Sequence, residues 1–457
     1  MNQTLTAPAD SHLPQLQVLA DPRAMKEHLQ RQLPGFAAGH LHIHDLRLLQ
    51  MRYKPGKKCE VCYELHISDL QSGRSGAQIF SGVIEAKGKL AARLAKAQNQ
   101  PQVQPQFGPA LHLLPELDLL LWGFPNDSRL RHLHRLLDSN RRRDLLRSHE
   151  ELLRPAPGAT LVTAEAEVVK YAPWDRCTLR HALRFSEGST TVLYSKTYNH
   201  KTEAAAIFAT LQAVWQSPLC QSGAFIVPRP LFFDAEMNTL FMTGLRGRNV
   251  DDHLAELDLA YTAARLGAGL AGLQQCQIGN LPRHTGQHVL AEVAKAERII
   301  ADFDGAFQPA VAALGQALRT QHAELPALPI TPIHNGFRIS QCLLVDDTLA
   351  VIDFDDFQCG NPIGDVASFA AHLLYLPLRE KLTPQQSAAA LTHFCRGYAQ
   401  AAPWGLPKTV LAWHTAAQLV AKQATKCITL AKKNHAEKVS RLLDLAAAIL
   451  AHEKELY

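Results

Sequence analysis

One stretch of this chain occurs twice, and that constrains its fold more than any other feature. Met51-Arg52-Tyr53-Lys54-Pro55-Gly56-Lys57-Lys58-Cys59-Glu60-Val61-Cys62-Tyr63-Glu64-Leu65 resembles Val169-Lys170-Tyr171-Ala172-Pro173-Trp174-Asp175-Arg176-Cys177-Thr178-Leu179-Arg180-His181-Ala182-Leu183. Each copy reads as two strands round a Pro-containing turn. Each is followed by a further strand ending in lysine, Ser81 to Lys87 and Thr191 to Lys196. Each then enters an Ala-rich helical stretch, Leu90 to Gln98 and Thr202 to Trp215, and a further strand pair, Pro115 to Trp122 and Leu231 to Met242. Four elements recurring in order imply two related β-rich units, at roughly 40–125 and 160–245.

Beyond Asp251 the pattern turns helical. Asp251 to Gln275, Gln287 to His322, Ile363 to Tyr375, Pro384 to Ala401 and Thr409 to Glu453 carry apolar residues at helical spacing. One segment interrupts them. Thr331 to Leu374 holds two polar clusters, His334-Asn335-Gly336 with Gln341 and Ile352-Asp353-Phe354-Asp355 with Asp365. The apolar runs Cys342–Val345 and Ala350–Ile352 form a hairpin whose turn is Val345 to Thr348. Such a hairpin brings His334, Gln341 and Asp353 to one end of a small sheet, where a metal-phosphate site can be built.

With 457 residues the chain is too long for a single core. Its 47% apolar content argues against disorder, and a net charge of +5 mildly favours anionic ligands without demanding nucleic acid. No apolar run reaches the ~18 residues of a membrane-spanning helix. The N-terminus lacks the basic start and apolar run of a secretory signal and reads as a short tail. Nine scattered cysteines suit free thiols in a reducing cytoplasm, and the lone Cys59/Cys62 pair lacks the second pair that zinc needs. Between the two units, Ser128 to Arg154 is rich in Arg and His and has helical Leu spacing. A solvated helix face is the expected reading, and an anionic partner the alternative.

The 331–374 segment resembles the catalytic segment of aminoglycoside phosphotransferases and choline kinases. That resemblance implies an α+β, protein-kinase-like bilobal fold with a duplicated β-rich small-lobe unit at the N-terminal side and a helical large lobe. The expected divisions are a tail and leading helix over 1–35, a cap-like unit over 36–158, a small lobe over 159–250, and a large lobe over 251–457 with its catalytic hairpin at 331–365. It further implies Mg-ATP bound between the second unit and the large lobe, and transfer to a small hydroxylated metabolite. By the same resemblance Asp353 and Gln341 are the Mg2+ ligands. His334 packs beneath the loop and Asp365 supports it through backbone N–H groups. Lys196, with Glu203 seven residues on, positions the nucleotide phosphates. Met242 to Gly247, with Thr243 and Leu245, resembles the hinge at which adenine bonds to backbone. From the residues alone, Asp353 could equally cap a turn and Asp365 a helix.

The chain departs from that family in two places. The family's catalytic Asp falls on Gly336, and the Gly before it falls on Asn335. A general base is typically worth ~10²–10⁴-fold, and glycine supplies none. Asp355 is the nearest replacement expected. The turn Ala172-Pro173-Trp174-Asp175, which would cover the phosphates, contains no glycine. The expected activity is therefore a weakened or absent phosphotransferase, and the alternative is a pseudokinase acting as a nucleotide-responsive scaffold for a protein partner.

Overall fold

The computed structural model describes residues 10–457 except 87–89, 131, 347, 431–433 and 453–454. Lys87 and Glu453, named above, lie outside the described residues, as do Arg131 of the Arg-rich stretch, Asp347 of the hairpin turn and the start of the N-terminal tail. Two short helices, α1 (Leu16–Ala20) and α2 (Pro22–Gln32), lead into β1 (Leu41–Lys54), β2 (Lys58–Asp69) and β3 (Ser75–Glu85). Helix α3 (Leu90–Gln98) and strands β4 (Leu111–Leu114) and β5 (Leu119–Gly123) follow. The series then repeats: α4 (Leu133–Leu137), α5 (Ser139–Arg147), α6 (Glu150–Leu153), β6 (Leu161–Ala172), β7 (Arg176–Phe185), β8 (Thr190–Tyr198), α7 (Ala204–Trp215), α8 (Pro218–Gln221), β9 (Pro230–Asp234) and β10 (Thr239–Thr243). The two five-stranded sheets have the same strand order, β1-β2-β3-β5-β4 and β6-β7-β8-β10-β9.

The duplication reaches further upstream than the strands. Asp10-Ser11-His12-Leu13 parallels Asp127-Ser128-Arg129-Leu130, and Leu16, Leu19 and Asp21 parallel Leu133, Leu136 and Asp138. Asp21 and Asp138 cap α2 and α5 by accepting from Arg23 N–H and Arg141 N–H. Asp10 Oδ2 accepts from Tyr53 Oη and Gly56 N–H at 2.7 Å each. Asp127 Oδ2 does the same for Tyr171 Oη and Trp174 N–H at 2.8 Å each. One carboxylate thus clasps the tip of each long hairpin. The segment from Asp10 onwards is therefore no loose tail: Leu13, Leu16, Leu19 and Met25 are buried under the first sheet with Tyr63 and Phe80. The Arg-rich stretch is likewise a packed element, with Leu130, Leu133, Leu136 and Leu146 buried against β6–β8. The expectation of a solvated face does not hold for Arg142 and Arg147, which turn with the leucines to the sheet and donate to the Ala164 and Leu161 carbonyls.

Both sheets fall in one compact unit (residues up to 204, with 231–244 and 428–435). A hydrophobic cluster joins the repeats. Trp174, at the tip of the second hairpin, is buried with Val83, Leu90, Leu120 and Trp122 of the first repeat. Its ring meets Trp122 edge-on at 5.5 Å. Trp174 has φ 60°, and its counterpart Gly56 has φ 62°. The turn thus demands the left-handed region in both copies, where a bulky side chain is rare.

The second unit (205–230, 245–427 and 436–457) is mainly helical. It contains β11 (Arg248–Asn249), α9 (Leu259–Gln274), α10 (Gly286–Phe303), α11 (Gln308–His322), β12 (Thr331–Ile333), β13 (Cys342–Val345), β14 (Thr348–Val351), β15 (Gln358–Gly360), α12 (Ile363–Tyr375), α13 (Pro384–Ala401), α14 (Lys408–Gln418), the start of α15 (Thr425–Thr429) and all but the first residue of α16 (His435–Leu450). Helix α7, read from sequence as part of the second β-rich unit, groups here. Helices α9 and α13 pack backbone to backbone: a Cβ on Gly267 would lie 2.1 Å from the Phe394 carbonyl oxygen. A β-rich region followed by helices with one embedded hairpin is the expected kinase-like order of elements. No helix among the described residues is long and apolar enough to cross a membrane.

Candidate functional site

Strands β12 and β15 pair antiparallel, Ile333 opposite Gln358, and deliver the chain to His334. That residue is 1% exposed. Its Nε2 lies 3.1 Å from the Ile352 carbonyl oxygen, which can only accept, so Nε2 carries the proton. Its ring packs on Phe354 at 5.1 Å and Phe337 at 5.9 Å. The backbone N–H of His334 donates to Asp365 Oδ2 at 2.6 Å. Asp365, fully buried in the first turn of α12, holds the loop from beneath. Burial pushes its carboxyl up from the ordinary range, opposed by His334 and by the amide donors of His334 and Gln274.

Behind Asp365 stands a polar chain that motif reading did not find. Gln274 Nε2 donates to the Pro362 carbonyl at 2.9 Å and reaches Asp365 Oδ2 at 3.4 Å. Gln274 Oε1 accepts from Tyr398 Oη at 2.7 Å, and Trp404 Nε1–H donates to that same hydroxyl oxygen at 2.8 Å. Asn249 Nδ2 donates to the Ser340 carbonyl, tying β11 to the loop. Isolated Gln, Tyr and Asn residues have no spacing that announces such contacts.

The hairpin β13–β14 pairs Cys342 with Val351 and Val345 with Thr348. It carries Gln341 and Asp353 at its two ends. Asp353 adopts φ 74° and ψ 58°, a left-handed conformation that re-aims the chain just past the strand. Gln341 Nε2 donates to Asp353 Oδ2 at 3.2 Å, and an Arg338 guanidinium nitrogen stands 4.0 Å from the same oxygen. Gln341 is 6% exposed, and its Oε1 is buried without a hydrogen-bond partner. The amide nitrogen is the atom turned to the carboxylate, and turning the amide over would present its oxygen and the carboxylate together to a hard cation. Among the described residues no group of three or more His, Cys, Asp or Glu could hold a metal unaided. The pair therefore fits Mg2+, which is bound by one or two carboxylates plus phosphate and water oxygens, and not a zinc-type cage.

Asn335 is left-handed at φ 56°. A Cβ on Gly336 would meet nothing within 4 Å, so the position is open. Asp355 is half-buried in the single 3-10 turn Phe354–Asp356 that follows Asp353.

In the other unit, Lys196 is 8% exposed on β8, opposite Thr178 and Leu240, with its Nζ 5.7 Å from the Tyr198 ring centroid. Glu203 is exposed just ahead of α7. Register makes Val83 the counterpart of Lys196, since Val83 faces Glu60 and Leu120 in the first sheet. The matching of Lys87 with Lys196 is thus replaced: where the second repeat has a buried cation, the first has an apolar core residue. Thr243 ends β10 opposite Leu193. Leu245 lines a cavity of about 500 Å³ with Arg246, Arg248 and Leu344.

Residues 191–404 match the model of the phosphotransferase enzyme family. The resemblance carried by the 331–374 segment thus extends from β8 through α13. No curated protein matches the sequence. Similar solved structures include an amicoumacin kinase in complex with AMP-PNP and Ca2+ (12% identity, 68% of this chain and 94% of that one, TM-score 0.46). A choline/ethanolamine kinase family protein from Mesorhizobium loti (12%, 63% and 88%, TM-score 0.44) is another. A third is a glucosamine kinase in complex with glucosamine, ADP and inorganic phosphate (16%, 93% and 98%, TM-score 0.42).

Proposed function

We propose, from the phosphotransferase-family match over 191–404, that the chain binds Mg-ATP and is a small-molecule phosphotransferase whose activity is weakened or lost at Gly336. The observation that carries this reading is Gln341, whose Nε2 bonds the Asp353 carboxylate and whose Oε1 is buried without a partner. Mg2+ held there would neutralise charge on the nucleotide's phosphate oxygens. Lys196 is the candidate phosphate contact, with Glu203 its proposed partner. Thr243 and Leu245 are the candidate adenine contacts. His334 and Asp365 fix the loop on which Asn335 and Gly336 sit. The acceptor would be a small hydroxylated metabolite, and Asp355 the carboxylate that takes its proton. All nine cysteines are free, which suits a cytoplasmic protein.

A second reading, a pseudokinase that binds nucleotide and signals to a protein partner, is favoured by two observations. Position 336 has no carboxylate, and Arg338 stands beside Asp353. Thermal unfolding with ATP and Mg2+ tests what the two share. A ligand at 100 times its Kd adds about 2.7 kcal/mol to stability. A rise in Tm that disappears in Asp353→Asn is expected. No rise with either ATP or Mg-ATP would overturn both readings. Given binding, steady ADP release distinguishes enzyme from pseudokinase.

A further inference from the structure

The Arg- and His-rich stretch between the repeats divides into two sets once folded. Arg142 is 6% exposed and donates to the carbonyls of Leu136, Leu137 and Ala164. Arg147 donates to the Leu161 carbonyl. These two arginines tie α4 and α5 to β6. Four others, His132, His134, Arg135 and Arg141, border a cavity of about 590 Å³ between the repeats, lined by Lys96 and Trp122 from the first repeat. That volume is typical of small-molecule sites.

The charge in this cleft is one-sided. Its single carboxylate, Asp127, already receives four donors: Arg129 N–H and Leu130 N–H at Oδ1, Tyr171 Oη and Trp174 N–H at Oδ2. Arg135 is held by Glu236, so the charged groups that a ligand would engage are Lys96 and Arg141, with His132 and several amide side chains around them. An arginine fork beside a lysine is a donor set that matches phosphate oxygens. We propose that the inter-repeat cleft binds a small phosphorylated metabolite, using none of the residues of the 334–365 site. Trp122 and Asp127, both in the lining, also grip the Ala172–Asp175 turn, through the Trp174 ring and the Trp174 N–H. Occupancy is therefore felt at that turn.

The full-length protein is titrated with inorganic pyrophosphate and, separately, with a hexose 6-phosphate, following tryptophan emission at ionic strength held constant with sodium chloride. A saturable change with a midpoint below ~1 mM is expected for at least one of them. The paired change Lys96→Ala and Arg141→Ala should raise that midpoint at least ~10-fold while leaving thermal unfolding unaltered, because both side chains are exposed. Asp353→Asn should leave the midpoint unchanged, so the outcome does not depend on the nucleotide reading. The proposal fails if neither compound gives a saturable change, if the double variant titrates like the parent, or if Asp353→Asn abolishes the response.

Discussion

At the scale of single residues, three positions decide whether the 334–365 loop can do chemistry. Gly336 is the first. A side chain there meets no neighbour, so Gly336→Asp should fold with the parent's stability and place a carboxylate where the family has one. If the rest of the site is sound, ATP turnover should rise by ~10²-fold or more, the usual worth of a general base. ADP release by the purified variant measures this, and a rate equal to the parent's would show that more than the carboxylate is missing. Arg338 is the second. Its guanidinium beside Asp353 competes with any divalent cation for that carboxylate. Arg338→Ala should therefore tighten Mg2+ dependence ~3–10-fold, on the order of 1 kcal/mol of repulsion between cations near a surface. The Mg2+ midpoint of the ATP-induced thermal shift reads it, and an unchanged or weakened midpoint would instead make Arg338 a phosphate contact. Asp353 is the third, and its amide partner was legible in the sequence because family spacing put Gln341 twelve residues ahead. Arg338 carried no such signal: it became interesting only when folding set it 4.0 Å from the carboxylate.

At the scale of elements, the repeat shows what sequence patterning can and cannot carry. The long hairpins were legible because alternating residues and a Pro turn survive in both copies. The pairing of the helices before them was not, since the first copy read as a tail and one leading helix and in the second α4–α5 looked like a solvated basic face. The shared leucines and the helix-capping Asp21 and Asp138 become visible only with the register fixed by Asp10 and Asp127. Those two carboxylates hold the hairpin tips, and they are not equivalent in load. Asp127 accepts four donors and steadies a left-handed tryptophan, whereas the corresponding turn of the first repeat has glycine at that position. Asp127→Ala should cost ~2–4 kcal/mol, since each bond to a charged acceptor counts for more than a neutral one and the freed donors lie in a largely buried setting. Asp10→Ala should cost less. Urea unfolding of both variants ranks them, and a larger loss at Asp10 would contradict the clasp argument.

At the scale of the whole molecule, stability should fall steeply in mild acid because of buried histidines in both units. Burial, reinforced by Arg142, lowers His181 to about 3, while its Nε2 sits 2.7 Å from Ser195 Oγ. Burial lowers His414 to about 3, helped by His284 and His322. Burial lowers His372 to about 4, with Arg338, Arg379 and Lys426 acting the same way and Asp251 against. Each of these groups is neutral when folded and takes up a proton on unfolding once the pH drops below its ordinary value near 6.5. The unfolded state then binds more protons, so stability rises with pH across this window. It is fully present above pH ~6.5 and is lost progressively as pH falls towards the folded values. At pH ~5 each histidine should cost roughly 2 kcal/mol, from 1.36 kcal/mol per pH unit. His372 and His414 belong to the helical unit and His181 to the β-rich one, so the helical unit should lose about twice as much. Urea unfolding at pH 7.5 and 5.0, followed by probes in each unit, measures the difference. Replacing His414 with Gln should lower stability at pH 7.5 yet flatten the helical unit's pH slope by about one proton. An unchanged slope would mean that His414 is protonated in the folded chain, and that burial does not exclude its charge.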